Sequence, residues 1–77
     1  MRVKYTYRTA GSIPSEALVE IPTTSGSEEV IVHVSQVDDT SVEVGFIGRR
    51  DKTVLVELPR ESMTGRWRVW VPESEVA

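Results

Sequence analysis

The sequence predicts an all-β domain, a small antiparallel barrel or meander of five to six strands. Apolar residues recur at every second position along most of the chain, and those positions are rich in Val, Ile and aromatic side chains, which suit a pleated, half-buried surface. Between the alternating runs stand clusters of Gly, Pro, Asp, Ser and Thr that supply turns.

The first run is residues 2–8, where Val3, Tyr5 and Tyr7 alternate with Arg2, Lys4, Thr6 and Arg8. Residues 15–21 are ambiguous. Ser15 could cap a short helix through Glu16, Ala17 and Leu18, but Pro22 would end it within two turns, and the alternation favours a strand with Ala17, Val19 and Ile21 inward. A turn over residues 23–27 then leads to a strand at 30–35, with Val30, Val32 and Val34 on one face and Ile31, His33 and Ser35 on the other. Val42, Val44 and Phe46 oppose Glu43, Gly45 and Ile47 in the next run. Val54, Val56 and Leu58 oppose Leu55 and Glu57, and Trp67, Val69 and Val71 oppose Arg66, Arg68 and Trp70. Residues 72–77 form one helical turn or fray. This set of short strands and short connections resembles, in architecture alone, a small SH3-like barrel or a compact meander.

Because inward residues must face inward on both partners, each hairpin has few permitted registers. Pairing Leu58 with Trp67 sets Glu57 opposite Arg68 and Leu55 opposite Trp70. Pairing Val37 with Ser41 around Asp38, Asp39 and Thr40 sets Val34 opposite Val44, Val32 opposite Phe46 and Ile31 opposite Ile47. A hairpin over Arg50, Asp51 and Lys52 then brings Ile47 beside Leu55. The inner face collects Val32, Val44, Phe46, Val56, Trp67 and Val69 as a core. On the outer face the same registers line up Ile31, Ile47, Leu55 and Trp70 across four strands, where alternation should place polar residues. Either the chain's own ends, residues 9–18 or 72–77, fold over this row, or the row is a partner or subunit contact anchored by Trp70.

Length and composition bound the function. At 77 residues the chain is expected to be a single domain, 1–77, which buries only roughly 60% of its unfolded surface. With no cysteine and one histidine, a disulfide or zinc site is not expected to supplement so small a core, which leaves self-association. The N-terminus lacks the apolar stretch of a signal peptide and no segment is long enough to span a bilayer, so a cytoplasmic location without membrane contact is expected. The net charge of −3 is unevenly spread: residues 1–48 carry three basic and seven acidic side chains, residues 49–77 six basic and five acidic. Arg49, Arg50, Lys52, Arg60, Arg66 and Arg68 make up this late basic cluster.

Catalytic patterns are missing. Neither Gly11-Ser12 nor Ser25-Gly26-Ser27 fits a nucleophile elbow, and Gly45-Phe46-Ile47-Gly48 lacks the ending of a phosphate loop. His33, expected on a half-exposed strand face with Ser35 and Ile31 beside it and Gly45 opposite, is the sole candidate base. The acidic pairs Glu28-Glu29 and Asp38-Asp39 fall in expected turns without calcium-loop spacing. No enzyme activity, metal or cofactor is expected. The favoured reading is a protein-binding or self-assembly module, a homodimer included, that uses Ile31, Ile47, Leu55 and Trp70. The alternative is a nucleic-acid-binding small barrel that uses Arg49, Arg50, Lys52, Arg66, Arg68 and Trp70 as a basic groove with one stacking platform.

Overall fold

A computed structural model describes all 77 residues, Met1–Ala77. The chain opens on β1 (Arg2–Lys4), which pairs with β5 (Ser41–Glu43) through Val3 and Val42. At Tyr5 and Thr6 it turns a corner. The Tyr5 amide donates to the Thr40 carbonyl at 3.3 Å, whereas the next amide, Thr6, donates to Glu20 at 2.9 Å and starts β2 (Tyr7–Ala10) along a different strand. This change of partner resets the alternation. Tyr7 now faces Glu20 on β3 and points away from the core, 54% exposed, rather than following Val3 inward.

β3 (Glu16–Thr23) is the strand favoured over the helix, and it buries Ala17, Val19, Ile21 and Thr23 in strict alternation. It pairs along its whole length with β4 (Gly26–His33), joined by a two-residue loop at Thr24 and Ser25. Gly26 takes φ +132°, a conformation open to glycine, so the hairpin closes four residues earlier than the turn expected through Ser27 and the strand expected from Val30. Glu28 and Glu29 therefore stand within a strand, not in a turn.

After β4 a 3-10 turn over Val34–Gln36 leads to a tight reversal closed by the Val37↔Val42 bridge, one residue out of step with the expected Val37–Ser41 pairing. Val44 donates its amide to the Met1 carbonyl at 2.9 Å and separates β5 from β6 (Gly45–Arg50). β6, β7 (Thr53–Glu57) and β8 (Arg68–Pro72) form a meander in which Leu55 faces Trp70 and Glu57 faces Arg68, as the register argument requires. Asp51 turns the first of these hairpins with φ +53°, a conformation Asp tolerates better than most residues. After β8 a 3-10 turn over Glu73–Glu75 brings Val76 back to bridge Val3.

The result is all-β but larger in strand number than expected: eight strands in three antiparallel sheets, β1-β5, β2-β3-β4 and β6-β7-β8, with no sheet closed into a barrel. Two runs expected as single strands, 2–8 and 42–47, are each cut where the chain changes partner. The three sheets enclose one cluster of twelve buried residues, and ten of these are valine, the others being Ile21 and Leu58. Such uniform, short side chains make a thin core, and the one aromatic packed against it, Tyr5, is only partly buried. Phe46 and Trp67, both expected inside, are 52% and 53% exposed. Phe46 sits on edge strand β6 at a register shift, and Trp67 lies just before β8 begins.

Candidate functional site

The outer face of β6-β7-β8 holds most of what the sequence singled out. The registers place Gly48 beside Leu55 and Leu55 beside Trp70, with Arg50, Thr53 and Pro72 in the row below and Gly45, Glu57 and Arg68 in the row above. Leu55 and Trp70 are both half-buried. Gly48 leaves the space next to Leu55 without a side chain, and Arg50 reaches diagonally over it until its guanidinium carbon stands 5.5 Å from the Trp70 ring centre. Such a cation over the indole face is an attractive arrangement that also shields the ring from water. The Trp70 carbonyl accepts the Thr24 amide at 2.9 Å, which ties this strand to the β3-β4 hairpin and fixes the ring's position along the face.

The expected four-strand row does not form. Ile47 falls within the register shift between Phe46 and Gly48, so Gly48 takes its place opposite Leu55. Ile31 lies on a separate sheet, because β4 pairs with β3 rather than with β6, and its cross-strand neighbour is Leu18. The apolar surface is thus two half-buried pairs, Leu55–Trp70 and Leu18–Ile31, on the outer faces of different sheets. Neither of the chain's ends is free to form a flap, since Ala10 is paired with Ala17 in β2-β3 and Val76 packs against the core cluster.

The basic cluster divides as well. Arg49 forms an ion pair with Glu73 at 3.0 Å, Arg60 with Glu16 at 2.8 Å, and Arg66 lies 3.9 Å from Glu28. These side chains hold loops and strand ends in place. Arg50, Lys52 and Arg68 have no carboxylate within 4.0 Å; Arg50 and Arg68 flank the Leu55–Trp70 pair, with one acid, Glu57, opposite Arg68, and Lys52 stands in the turn between β6 and β7.

The outer face of β2-β3-β4 gathers, beside Ile31, residues outside the expected row. Leu18 and Ile31 lie between two cross-strand pairs, Glu16 with His33 and Glu20 with Glu29. Glu20 and Glu29 stand directly opposite each other with no cation within 4.0 Å, and Glu20 only accepts a hydrogen bond from the Thr6 hydroxyl at 3.0 Å. The alternation of β3 contains this face, since Glu16, Leu18 and Glu20 are the residues left over when Ala17, Val19 and Ile21 point inward.

The remaining candidates make local hydrogen bonds. His33 faces Glu16 rather than Gly45, and its ring Nδ1 accepts the Ser35 amide at 3.1 Å and lies 2.7 Å from the Ser35 hydroxyl, capping the 3-10 turn. Asp38 accepts the amides of Thr40 at 2.8 Å and Ser41 at 2.7 Å. These bonds, with the Ser41 hydroxyl and the Arg2 guanidinium, pull its carboxyl down to about 2. Glu28, opposite Ile21 near the start of β4, accepts the Thr64 and Ser62 hydroxyls, which with Arg66 hold its carboxyl below the ordinary carboxylate range. It thereby fastens the 59–66 loop, whose Met63 amide also donates to Glu29 at 2.8 Å. No three His, Asp or Glu side chains converge as a metal site, and every buried polar side-chain atom has a hydrogen-bond partner. No helix is long and apolar enough to cross a membrane.

The chain matches no family model, and no curated protein or solved structure is similar to it at the level that shows kinship.

Proposed function

We propose that this protein is a non-enzymatic interaction module whose docking surface is the outer face of β6-β7-β8, and that it takes a protein surface with an apolar centre and an acidic rim. One observation carries the reading: the half-buried Leu55–Trp70 pair has Arg50 stacked on the indole and is flanked by Arg68, which makes no ion pair within the chain although Glu57 stands opposite it. Interfaces concentrate their binding energy in Trp, Tyr and Arg set in a partly desolvated centre, and unpaired rim charges steer the approach of an oppositely charged partner. The three sheets share one core and are joined by backbone hydrogen bonds at Val44–Met1 and Thr24–Trp70, which supports an open relative of the small SH3-like barrel as the scaffold.

Nucleic acid is the second reading, favoured by the Arg50–Trp70 stack as a platform for a base. The ion pairs of Arg49 and Arg66, the single platform and the net charge of −3 weigh against it. A Trp67→Phe chain, in which Trp70 is the only tryptophan, separates the two. A random glutamate–leucine copolymer is expected to shift and quench Trp70 emission, and Lys52→Glu with Arg68→Glu to abolish the response. A response to single-stranded oligodeoxynucleotide alone, or to neither probe, overturns the proposal.

A further inference from the structure

Resting on that reading of the β6-β7-β8 face, we infer that its occupant is a second copy of the same chain, which presents the outer face of its β2-β3-β4 sheet, so that the molecules associate head to tail. Both faces point away from the shared core, because on each sheet the residues alternating with the core set are turned outward. Each has an apolar pair at its centre, Leu18–Ile31 on one and Leu55–Trp70 on the other. The charges that make no ion pair within the chain differ in sign between the faces: Glu20 and Glu29 on the first, and on the second Arg50 and Arg68, with the single acid Glu57 opposite Arg68.

The Glu20–Glu29 pair strengthens the argument. Like charges directly opposite across two strands repel, and no cation of the chain relieves them. A cationic face laid over the pair does so. Two copies meeting through the same face would set carboxylate against carboxylate or guanidinium against guanidinium, whereas unlike faces bring each charge to its opposite. A heterologous contact between two different faces of a molecule extends into an open chain or closes into a ring. With strands ~4.8 Å apart and rising ~3.3 Å per residue, three short strands offer only a few hundred Å² per copy. That is below the ~800 Å² per partner of a stable interface, so the association is weak and reversible.

Glu29→Lys and Arg68→Glu test this, since neither side chain makes a hydrogen bond or ion pair within the chain; because Arg68→Glu sets a second acid opposite Glu57, each variant's cooperative melt is recorded beside its mass. Sedimentation velocity at low salt, from micromolar to millimolar protein, is expected to show mass rising with concentration for the wild type. Each variant alone should associate at least about tenfold more weakly, because an attractive pair becomes a repulsive one. An equimolar mixture of the two should regain association, since the intact basic face of one meets the intact acidic face of the other. A wild type that stays monomeric at millimolar concentration overturns the inference, as does a mixture no better than its components. If the chain is monomeric yet Trp70 still answers the glutamate–leucine copolymer, only the second-copy occupant fails; if Trp70 is silent too, the reading of the face fails with it.

Discussion

Two carboxylates with the same chemistry do different work according to what they accept. Asp38 caps the reversal that brings β5 beside β1, and its folded value of about 2 lies below the ordinary 3.8. A group depressed in this way contributes stability that is fully present above its unfolded value and is lost as pH falls toward its folded value. The melting temperature should therefore fall as pH drops from about 4 to 2, and Asp38→Asn, which keeps an acceptor but not the charge, should flatten that fall. An unchanged acid profile in this variant would mean the cap is not formed in solution. Glu28, shifted in the same direction mainly by the Thr64 and Ser62 hydroxyls, holds a loop instead. Its side chain is only 11% exposed and Ser62 is buried, so Glu28→Ala strands a hydroxyl as well as losing charge-assisted bonds. The expected cost is about 1–3 kcal/mol. Amide exchange at Met63, whose donor is anchored on β4, should rise with it.

At the scale of the element, alternation reveals which way a side chain points but not which strand lies beside it. β3, β7 and the last hairpin are legible for that reason: Val54, Val56 and Leu58 point inward, and the Leu58–Trp67 and Glu57–Arg68 pairings fix Leu55 against Trp70. The corner at Tyr5 and Thr6 and the register shift at Ile47 leave the pattern unmarked, because each changes partner or register without changing residue type. Tyr7, Phe46 and Ile47 depart from the expected alternation there, and the expected row is broken because β4 pairs along its whole length with β3, its neighbour across a two-residue loop, and not with β6. The basic cluster was legible as composition. Which of its members were free was not, since Glu28 and Glu73 are far in sequence from Arg66 and Arg49. The face assignments have a direct test. Val56→Asp buries an unpaired charge in the valine core and should abolish the cooperative melt. Trp67→Ala should cost under about 1 kcal/mol, as a change at a half-exposed site outside the ladder. Trp70→Ala falls between them at about 1–2 kcal/mol, from its cross-strand pair and the stacked Arg50. A Trp67 variant less stable than the Trp70 variant would overturn this ordering of the two rings.

For the whole molecule, a 77-residue chain with a twelve-residue core has little stability in reserve, on the order of 4–11 kcal/mol. It contains no disulfide, so no covalent link within the chain adds to this. Head-to-tail contact would add to it in a way that can be measured. A partner that binds only the folded state stabilises it by mass action, on the order of 1.4 kcal/mol for each tenfold rise in concentration above the dissociation constant. For a domain of this size, each kcal/mol moves the midpoint by roughly 4–8 °C. The melting temperature of the wild type at low salt should therefore climb by several degrees per decade once protein concentration passes the dissociation constant. Because the contact joins exposed Glu29 to exposed Arg68, screening at about 1 M salt, where the Debye length falls to roughly 3 Å, should flatten the climb. Glu29→Lys and Arg68→Glu should each be flat at low salt, and their mixture should climb again. A two-state melt without association has a midpoint independent of concentration, so a wild-type midpoint constant from micromolar to millimolar protein would leave the two charged faces without a role in each other's recognition.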